Sequence, residues 1–264
     1  MLTHTFCHIP RVTLAKEKAL WERGILTWDD FQIAFPKASQ IDHSKLHLQD
    51  KNPRFFSDGL KSDQHWRLFP DFRESIAYLD IETTGLDKNY DEITTIALYD
   101  GKSVRTYVSG QNLRQFARDI KDYKLLVTFN GKCFDVPFIK RFFHIEVDQS
   151  HIDLRYILAR LGCTGGLKQV EQRIGIDRGD LRAVDGFFAV MLWHEYKRKK
   201  NDAALETLLA YNCADVVNLE KLLVHAFNLN LAATPFKGSR SIGAPKKVEV
   251  PFKADKRLID RLGG

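Results

Sequence analysis

The segment Tyr78-Leu79-Asp80-Ile81-Glu82-Thr83-Thr84-Gly85-Leu86 constrains this chain more than any other. Its residues are those of a β-strand running into a turn. Side chains alternate across a strand, so Asp80 and Glu82 leave one face while Leu79 and Ile81 leave the other. Two carboxylates side by side on an apolar strand repel each other, which is unfavourable unless a cation lies between them. Hard cations such as Mg²⁺ take oxygen ligands of this kind, so the pair reads as part of a metal site. The alternative is an edge strand with a wet face, on which the spacing is an accident of solubility.

The surrounding pattern predicts an α/β fold. Ile76 to Glu82, Glu92 to Leu98 and Val104 to Ser109 are short, β-rich and separated by turn residues, which gives a meander of three strands. A helical segment, Leu113 to Asp122, leads to the apolar strand Leu125 to Phe129 and then to a helix near Phe134 to Phe143. Ile152 to Leu154 is a last short strand, and Leu167 to Ile174, Phe187 to Lys199 and Ala203 to Phe227 read as helices. A meander followed by strand–helix alternation indicates a mixed sheet flanked by helices, over residues 75–230. Ahead of it, residues 1–36 read as short helices, with Leu14, Ala19, Leu20 and Ile25 at helical spacing and Thr27 as a cap. Residues 37–74 are mixed and polar, punctuated by Pro36, Pro53 and Pro70, and predict a linker or loosely packed extension.

Composition narrows the class. Across 264 residues, 44% hydrophobic and 28% charged content excludes a disordered, fibrous or membrane-embedded chain. No apolar run approaches the ~18 residues of a membrane span, and Met1 to Pro10 lacks the features of a secretory signal, so the expectation is a cytoplasmic protein with no membrane partner. Four cysteines, Cys7, Cys133, Cys163 and Cys213, are too sparse for a disulfide scaffold or a zinc site and read as buried thiols. Net charge is +6, and residues 231–264 hold eight Lys/Arg against three Asp/Glu, so nearly all of it sits in a basic tail. A basic tail on a neutral body suits a polyanion such as nucleic acid, or is simply solvated.

A further carboxylate stands where the helical pattern should be apolar. Leu208, Tyr211, Asp215, Leu219 and Leu222 share one helix face, so Asp215 lies on the stripe directed at the core, where metal ligation would relieve its burial.

Together, Asp80-Ile81-Glu82-Thr83-Thr84-Gly85 and Tyr211-Asn212-Cys213-Ala214-Asp215 resemble the first and third motifs of the DnaQ-like, or DEDD, 3′→5′ exonuclease superfamily. Tyr-x-x-x-Asp is the form of its DEDDy branch, and Ala210 occupies the position at which the other branch has His. The second motif, an Asn shortly before an aromatic–Asp pair, is matched by Asn130-Gly131-Lys132-Cys133-Phe134-Asp135 after an apolar strand. Alone, that stretch would read as an Asn-Gly turn and a helix-start carboxylate. His151-Ile152-Asp153-Leu154 and Gly165-Gly166-Leu167-Lys168-Gln169-Val170-Glu171 also look like the bacterial and archaeal ribonuclease-H-like predicted exonucleases of this superfamily.

The resemblance implies a ribonuclease-H-like mixed five-stranded sheet and two divalent ions, Mg²⁺ or Mn²⁺, held by Asp80, Glu82, Asp135 and Asp215. It makes Asp80 the bridging ligand, completes one coordination shell with Glu82 and Asp215, and has Asp135 act largely through water. Tyr211 orients the attacking water. Thr83, Thr84 and Gly85 hold the terminal nucleotide and Leu86 packs on its base, with Asn130 and Phe134 as neighbours of the substrate. Lys168 meets a backbone phosphate or is a surface lysine, and Asp153 reads as a supporting or helix-capping carboxylate rather than a ligand. The implied substrate is a single-stranded DNA or RNA end. Competing readings are an endonuclease or flap nuclease on the same fold, and a binding module without turnover. His8 to Leu14 with Leu20 to Thr27 also resembles a helix–hairpin–helix unit, but Arg11 and Thr13 stand where phosphate-gripping glycines are expected. A structural or protein-binding helical cap is the reading that remains.

Overall fold

The computed structural model describes residues 1–263. Its strands are β1 (Ile76–Thr83), β2 (Ile93–Tyr99), β3 (Val104–Val108), β4 (Leu125–Thr128) and β5 (Ser150–Asp153). They form one five-stranded sheet in the order β3-β2-β1-β4-β5. β1 pairs antiparallel with β2 and β2 with β3, whereas β4 is parallel to both β1 and β5. The sheet is therefore mixed, and β1 is its middle strand. That removes the edge-strand alternative for Asp80 and Glu82, because a central strand in a layered α/β fold is covered on both faces.

Alternation along β1 assigns those faces. Ile76 and Tyr78 join one apolar cluster with Ala97, Tyr99 and Val127; Ala77, Leu79 and Ile81 join another with Leu98 and Leu126. Asp80 and Glu82 continue the row of Tyr78. The pairing with β4 covers only Ile76–Tyr78 of β1, so the backbone beyond Tyr78 is free on that side. The carboxylates emerge at this opening.

Five helices precede the sheet: α1 (Leu14–Glu22), α2 (Trp28–Ala34), α3 (Gln40–Gln49), α4 (Pro53–Gly59) and α5 (Phe69–Phe72). Thr27 caps α2 as expected, its hydroxyl accepting from Asp30 N at 3.1 Å while the Asp30 carboxylate accepts from Thr27 N at 2.8 Å. The expectation of a loose linker over 37–74 is corrected. α3, α4, α5 and a 3₁₀ helix at Ser62–Leu68 fill it, and Ile41, Phe56, Trp66, Leu68, Phe69 and Phe72 are buried in the same cluster as Tyr78 and Phe227. Pro53 and Pro70 misled because each lies in the first turn of a helix, where the missing N–H has no partner to lose. In the cap region Arg11 adopts the left-handed φ of 69° that glycine favours, and the Thr13 side chain caps α1.

The remaining helices are α6 (Phe116–Asp119), α7 (Asp135–Phe143), α8 (Leu154–Arg160), α9 (Leu167–Ile174), α10 (Gly186–Lys199), α11 (Asp202–Ala232) and α12 (Lys256–Gly263). The helix expected over Leu113 to Asp122 is broken into 3₁₀ turns on either side of the single α6 turn. Phe116, Phe138 and Ile139 cover one sheet face; α11, about 46 Å long at 1.5 Å per residue, crosses β1 and β2 on the other. The basic carboxy-terminal segment does not simply trail into solvent. Leu258 and Ile259 of α12 are buried with Phe188, Trp193 and Leu208, and Arg261 pairs with Glu195 at 2.6 Å. The cysteine expectation holds for Cys213 alone, since Cys133 is exposed and Cys7 and Cys163 are half-buried. Among the described residues, no helix is long and apolar enough to cross a membrane.

Candidate active site

β1 delivers Asp80 and Glu82, and α11 delivers Asp215, to one point: a carboxylate oxygen from each lies within 4.8 Å of the others. Asp215 reaches it because α11 packs the stripe of Leu208, Leu219 and Leu222 against the core, which carries the carboxylate on that stripe inward. Glu82 is 8% exposed and Asp215 3%. Burial, and after it the neighbouring carboxylates Asp215, Glu82 and Asp135, push the Asp80 carboxyl well above its ordinary range. Glu82 is raised by burial and then by Asp215 and Asp135, with Arg178 opposing.

Asp135 is not part of this trio. It opens α7, and its Oδ1 accepts from Ile81 N at 3.2 Å, using the β1 backbone that β4 leaves free. Burial raises its pKa to about 7 despite that bond, with Asp153 and Asp215 adding to the rise. Its carboxyl therefore stands beside the trio, close enough to be felt electrostatically by Asp80 and Glu82. Tyr211 precedes Asp215 by one turn of α11 and is buried; desolvation and the three carboxylates raise its phenol far above the ordinary tyrosine range. A phenol so placed is neutral and donates a hydrogen bond.

Three further residues complete the surroundings without having been assigned a role in the sequence. Asn212 Nδ2 donates to Asp80 Oδ2 at 2.7 Å, while its Oδ1 accepts from Thr95 Oγ1 at 3.1 Å, which fixes the Asp80 rotamer. Glu171 on α9 is fully buried and accepts from Asn218 Nδ2 at 3.0 Å. Arg178, from the turn between α9 and α10, places its guanidinium against both Glu171 and Asp215. Burial raises the Asp215 carboxyl to about 6, Arg178 lowering it and Glu171 raising it. Asn212 could have been found as the i, i−3 neighbour of Asp215; an arginine in an irregular turn has no periodicity to betray it.

The expected substrate positions differ in how they are engaged within the fold. Thr83 Oγ1 donates to Gly85 O at 2.5 Å, and Thr84 Oγ1 donates to Asp91 Oδ1 at 3.0 Å. A Cβ on Gly85 would meet Asp91 Oδ2 at 2.5 Å, so this turn needs glycine for the close approach. Leu86 is 85% exposed at its tip. Asn130 has φ 66° and its Oδ1 accepts from Arg155 Nη1 at 2.6 Å, while Phe134 packs on Phe138 at 4.8 Å. Both side chains thus have partners within the fold. Lys168 Nζ donates to Val184 O at 2.9 Å. Asp153 caps α8 and holds the loop after β4 by accepting from Asn130 N and Lys132 N at 2.8 and 3.1 Å.

The donor set suits a divalent cation. All convergent ligands are carboxylate oxygens, the choice of hard ions, and the burial and mutual repulsion that raise the Asp80 carboxyl are both costs that such ions would offset. Asp215 Oδ1 has no hydrogen-bond partner among the described residues although it is buried.

A mixed five-stranded sheet whose middle strand and capping helix converge on one acidic point defines an α/β protein of ribonuclease-H-like architecture. Residues 77–227, more than half of the chain, match a family model of the RNase_H superfamily, and the chain belongs to that superfamily. Comparison with curated protein sequences gives no match. Among solved structures, the chain is similar to the family B DNA polymerase from the hyperthermophilic archaeon Pyrobaculum calidifontis, at 18% identity and a TM-score of 0.46. That likeness covers 64% of this chain and 27% of the polymerase, so the chain spans about a quarter of the polymerase's length. It is also similar to Brucella melitensis NrnC bound to pGG, at 16% identity and a TM-score of 0.43, over 74% of this chain and 84% of NrnC. NrnC with bound Mg²⁺ gives 17% identity and a TM-score of 0.32, over 66% and 93% of the two chains.

Proposed function

We propose that this protein is a metal-dependent 3′→5′ exonuclease of the DEDDy type, hydrolysing phosphodiester bonds at single-stranded DNA or RNA ends. The observation that carries this reading is the convergence of Asp80, Glu82 and Asp215 within 4.8 Å, with Tyr211 one turn from Asp215. Asp80, Glu82, Asp135 and Asp215 would hold two Mg²⁺ or Mn²⁺ ions. When bound, such ions supply Lewis-acid polarisation of the phosphoryl group and a lowered pKa for water.

The chain's own groups do the rest. Asn212 locks Asp80 in a ligating orientation. Tyr211, kept neutral by its buried acidic setting, donates its hydrogen bond and orients the attacking water rather than removing a proton. The Thr83-Thr84-Gly85 turn, tightened onto Asp91, presents backbone groups to the terminal nucleotide, and the exposed Leu86 offers an apolar surface to its base. Stacking of that kind tolerates any sequence, so weak base preference is expected. Lys168 and the basic carboxy-terminal segment supply charge for the backbone.

Digestion of a 5′-labelled strand and of a circular strand of the same sequence, each as DNA and RNA, with Mg²⁺ or Mn²⁺ and with EDTA, tests the reading. A ladder shortening from the 3′ end that EDTA abolishes is the expected result. Cleavage of the circle would replace the exonuclease with an endonuclease, and binding without release of nucleotides would leave a silent binding module.

A further inference from the structure

Arg178 has no part in the mechanism above, yet its side chain is 4% exposed and lies inside the acidic site. Its Nη2 is 2.5 Å from Asp215 Oδ1, and its guanidinium lies 5.5 Å from the centre of the Tyr211 ring. Among the described residues, however, Nη1, Nη2 and Asp215 Oδ1 all lack a hydrogen-bond partner, so the N–H groups are near the carboxylate without pointing at it. The Nε end is different: it donates to Glu171, which Asn218 holds from α11 one turn past Asp215. The Nε end of the arginine is clamped, while its fork has ion-pair contact with Asp215 but no directed hydrogen bond.

A buried fork with two unpaired nitrogens is unfavourable, and a planar pair of N–H donors matches a phosphate better than any neutral group. Arg178 also lines a cavity of about 350 Å³ together with Lys168 and Arg182 and the carboxylates Glu171 and Asp177. Both of those cations already have protein partners, Lys168 on Val184 O and Arg182 on Asp177 at 2.9 Å. Among the described residues, the guanidinium nitrogens beside the carboxylates that lack a directed partner are Arg178 Nη1 and Nη2, both enclosed in this structure, with Nη2 held in ion-pair contact with Asp215.

We propose that Arg178 is a catalytic residue whose Nη groups donate to a non-bridging oxygen of the phosphodiester being hydrolysed. This rests on the nuclease reading. In that reaction water oxygen bonds to phosphorus, the P–O3′ bond breaks, and the departing O3′ receives the proton that water gives up. Negative charge on the phosphoryl oxygens is redistributed along the way, and a preplaced guanidinium stabilises it. Glu171 and Asn218 serve as positioning residues that aim the fork.

The test is a comparison of Arg178→Gln and Arg178→Lys with the unaltered protein. Binding is measured in Ca²⁺, in place of Mg²⁺, to short oligonucleotides whose 3′-terminal linkage is either a phosphodiester or a neutral methylphosphonate. Arg178→Gln should weaken binding of the phosphodiester strand by about tenfold or more and leave binding of the methylphosphonate strand unchanged. With Mg²⁺, kcat should fall by about a hundredfold for Gln and less for Lys, which keeps the charge without the fork. Calorimetric binding of Mn²⁺ alone should survive in both variants. Equal losses on the two strands, or loss of Mn²⁺ binding in step with activity, would overturn the proposal in favour of a purely structural Arg178. Should the Gln variant not fold, the Lys variant carries the same two-strand comparison. If the unaltered protein cleaves and Arg178→Gln matches it, this inference alone falls; if the unaltered protein neither binds nor cleaves, the nuclease reading falls and takes the inference with it.

Discussion

Glu17 in the amino-terminal layer and Asp215 in the acidic site are both removed from water, at 0% and 3% exposure, and the fold treats them in opposite ways. Glu17 Oε1 accepts from Phe6 N at 2.6 Å and Cys7 N at 3.1 Å, and Oε2 accepts from Arg67 Nη2 at 2.8 Å. Arg67 is itself complete, donating to Gln64 Oε1 and Thr5 Oγ1. Asp215 instead faces Asp80 and Glu82, and its one cation, Arg178, meets it without a directed hydrogen bond. Burial of charge is thus no indication of purpose by itself. A carboxylate whose lone pairs are all taken fastens elements together; one left among like charges is poised for something that is not protein.

That contrast is breakable by mutation. Asp80→Ala should reduce hydrolysis by about a thousandfold or more, by removing several kcal/mol of transition-state stabilisation, while the metal-free protein melts no lower than before because a repulsive cluster loses one charge. Single-turnover kinetics and a melting curve in EDTA measure the two halves, and a strongly lowered melting temperature would place Asp80 in the same class as Glu17. Glu17→Ala should do the reverse, costing about 3–5 kcal/mol of stability in denaturant titration because Arg67 is left buried and unpaired. A near-neutral result would mean that the satisfied pair fastens nothing.

Tyr211→Phe sharpens the division within the site. It removes one hydroxyl and no ligand, so kcat should fall by on the order of a hundredfold, less than for Asp80→Ala, with melting unchanged. A loss equal to that of the carboxylate would make the phenol more than an orienting group.

The smallest expected effect is on pH. Asp135 is raised to about 7 and Asp215 to about 6, against ~3.9 for Asp in an unfolded chain, so between these values the folded state binds protons that the unfolded state does not. The contribution of these two carboxylates to stability in EDTA should therefore grow as pH falls from about 7.5 to 5, opposed by the buried His8 and His151, which burial lowers to about 4 and about 3. Saturating Mg²⁺ should weaken or reverse the carboxylate contribution, since ions require the deprotonated form. Thermal scans of the unaltered protein and of Asp135→Asn at both pH values check the sign; if the unaltered protein's melting temperature does not rise relative to that of the variant on acidification in EDTA, Asp135 takes up no proton on folding.

Much of this was legible in the chain. Five strands were legible, although the last is Ser150–Asp153 rather than Ile152 to Leu154 and Leu154 opens α8; the faces of Asp80, Glu82 and Asp215 follow from periods of two and 3.6 residues, because periodicity is a local property that packing only has to accept. The amino-terminal region was less legible. Pro53 and Pro70 read as interruptions, yet they begin helices that bury Phe56 and Phe69 against the back of the sheet. The carboxy-terminal charge masked an amphipathic turn, and Leu258 and Ile259 found their partners on α10 and α11.

The chain alone determined which side chains are acidic, which face of its strand or helix each occupies, and hence that several carboxylates must be accommodated at the core. Only the tertiary structure decided that Asp80, Glu82 and Asp215 meet while Asp135 stands to the side on the β1 backbone, and that Glu171 on α9 and Arg178 from an irregular turn enter beside them. The reason is range: a repeat of two or 3.6 residues orients a side chain relative to its own element, but the distance between elements is set by the packing of every side chain between them.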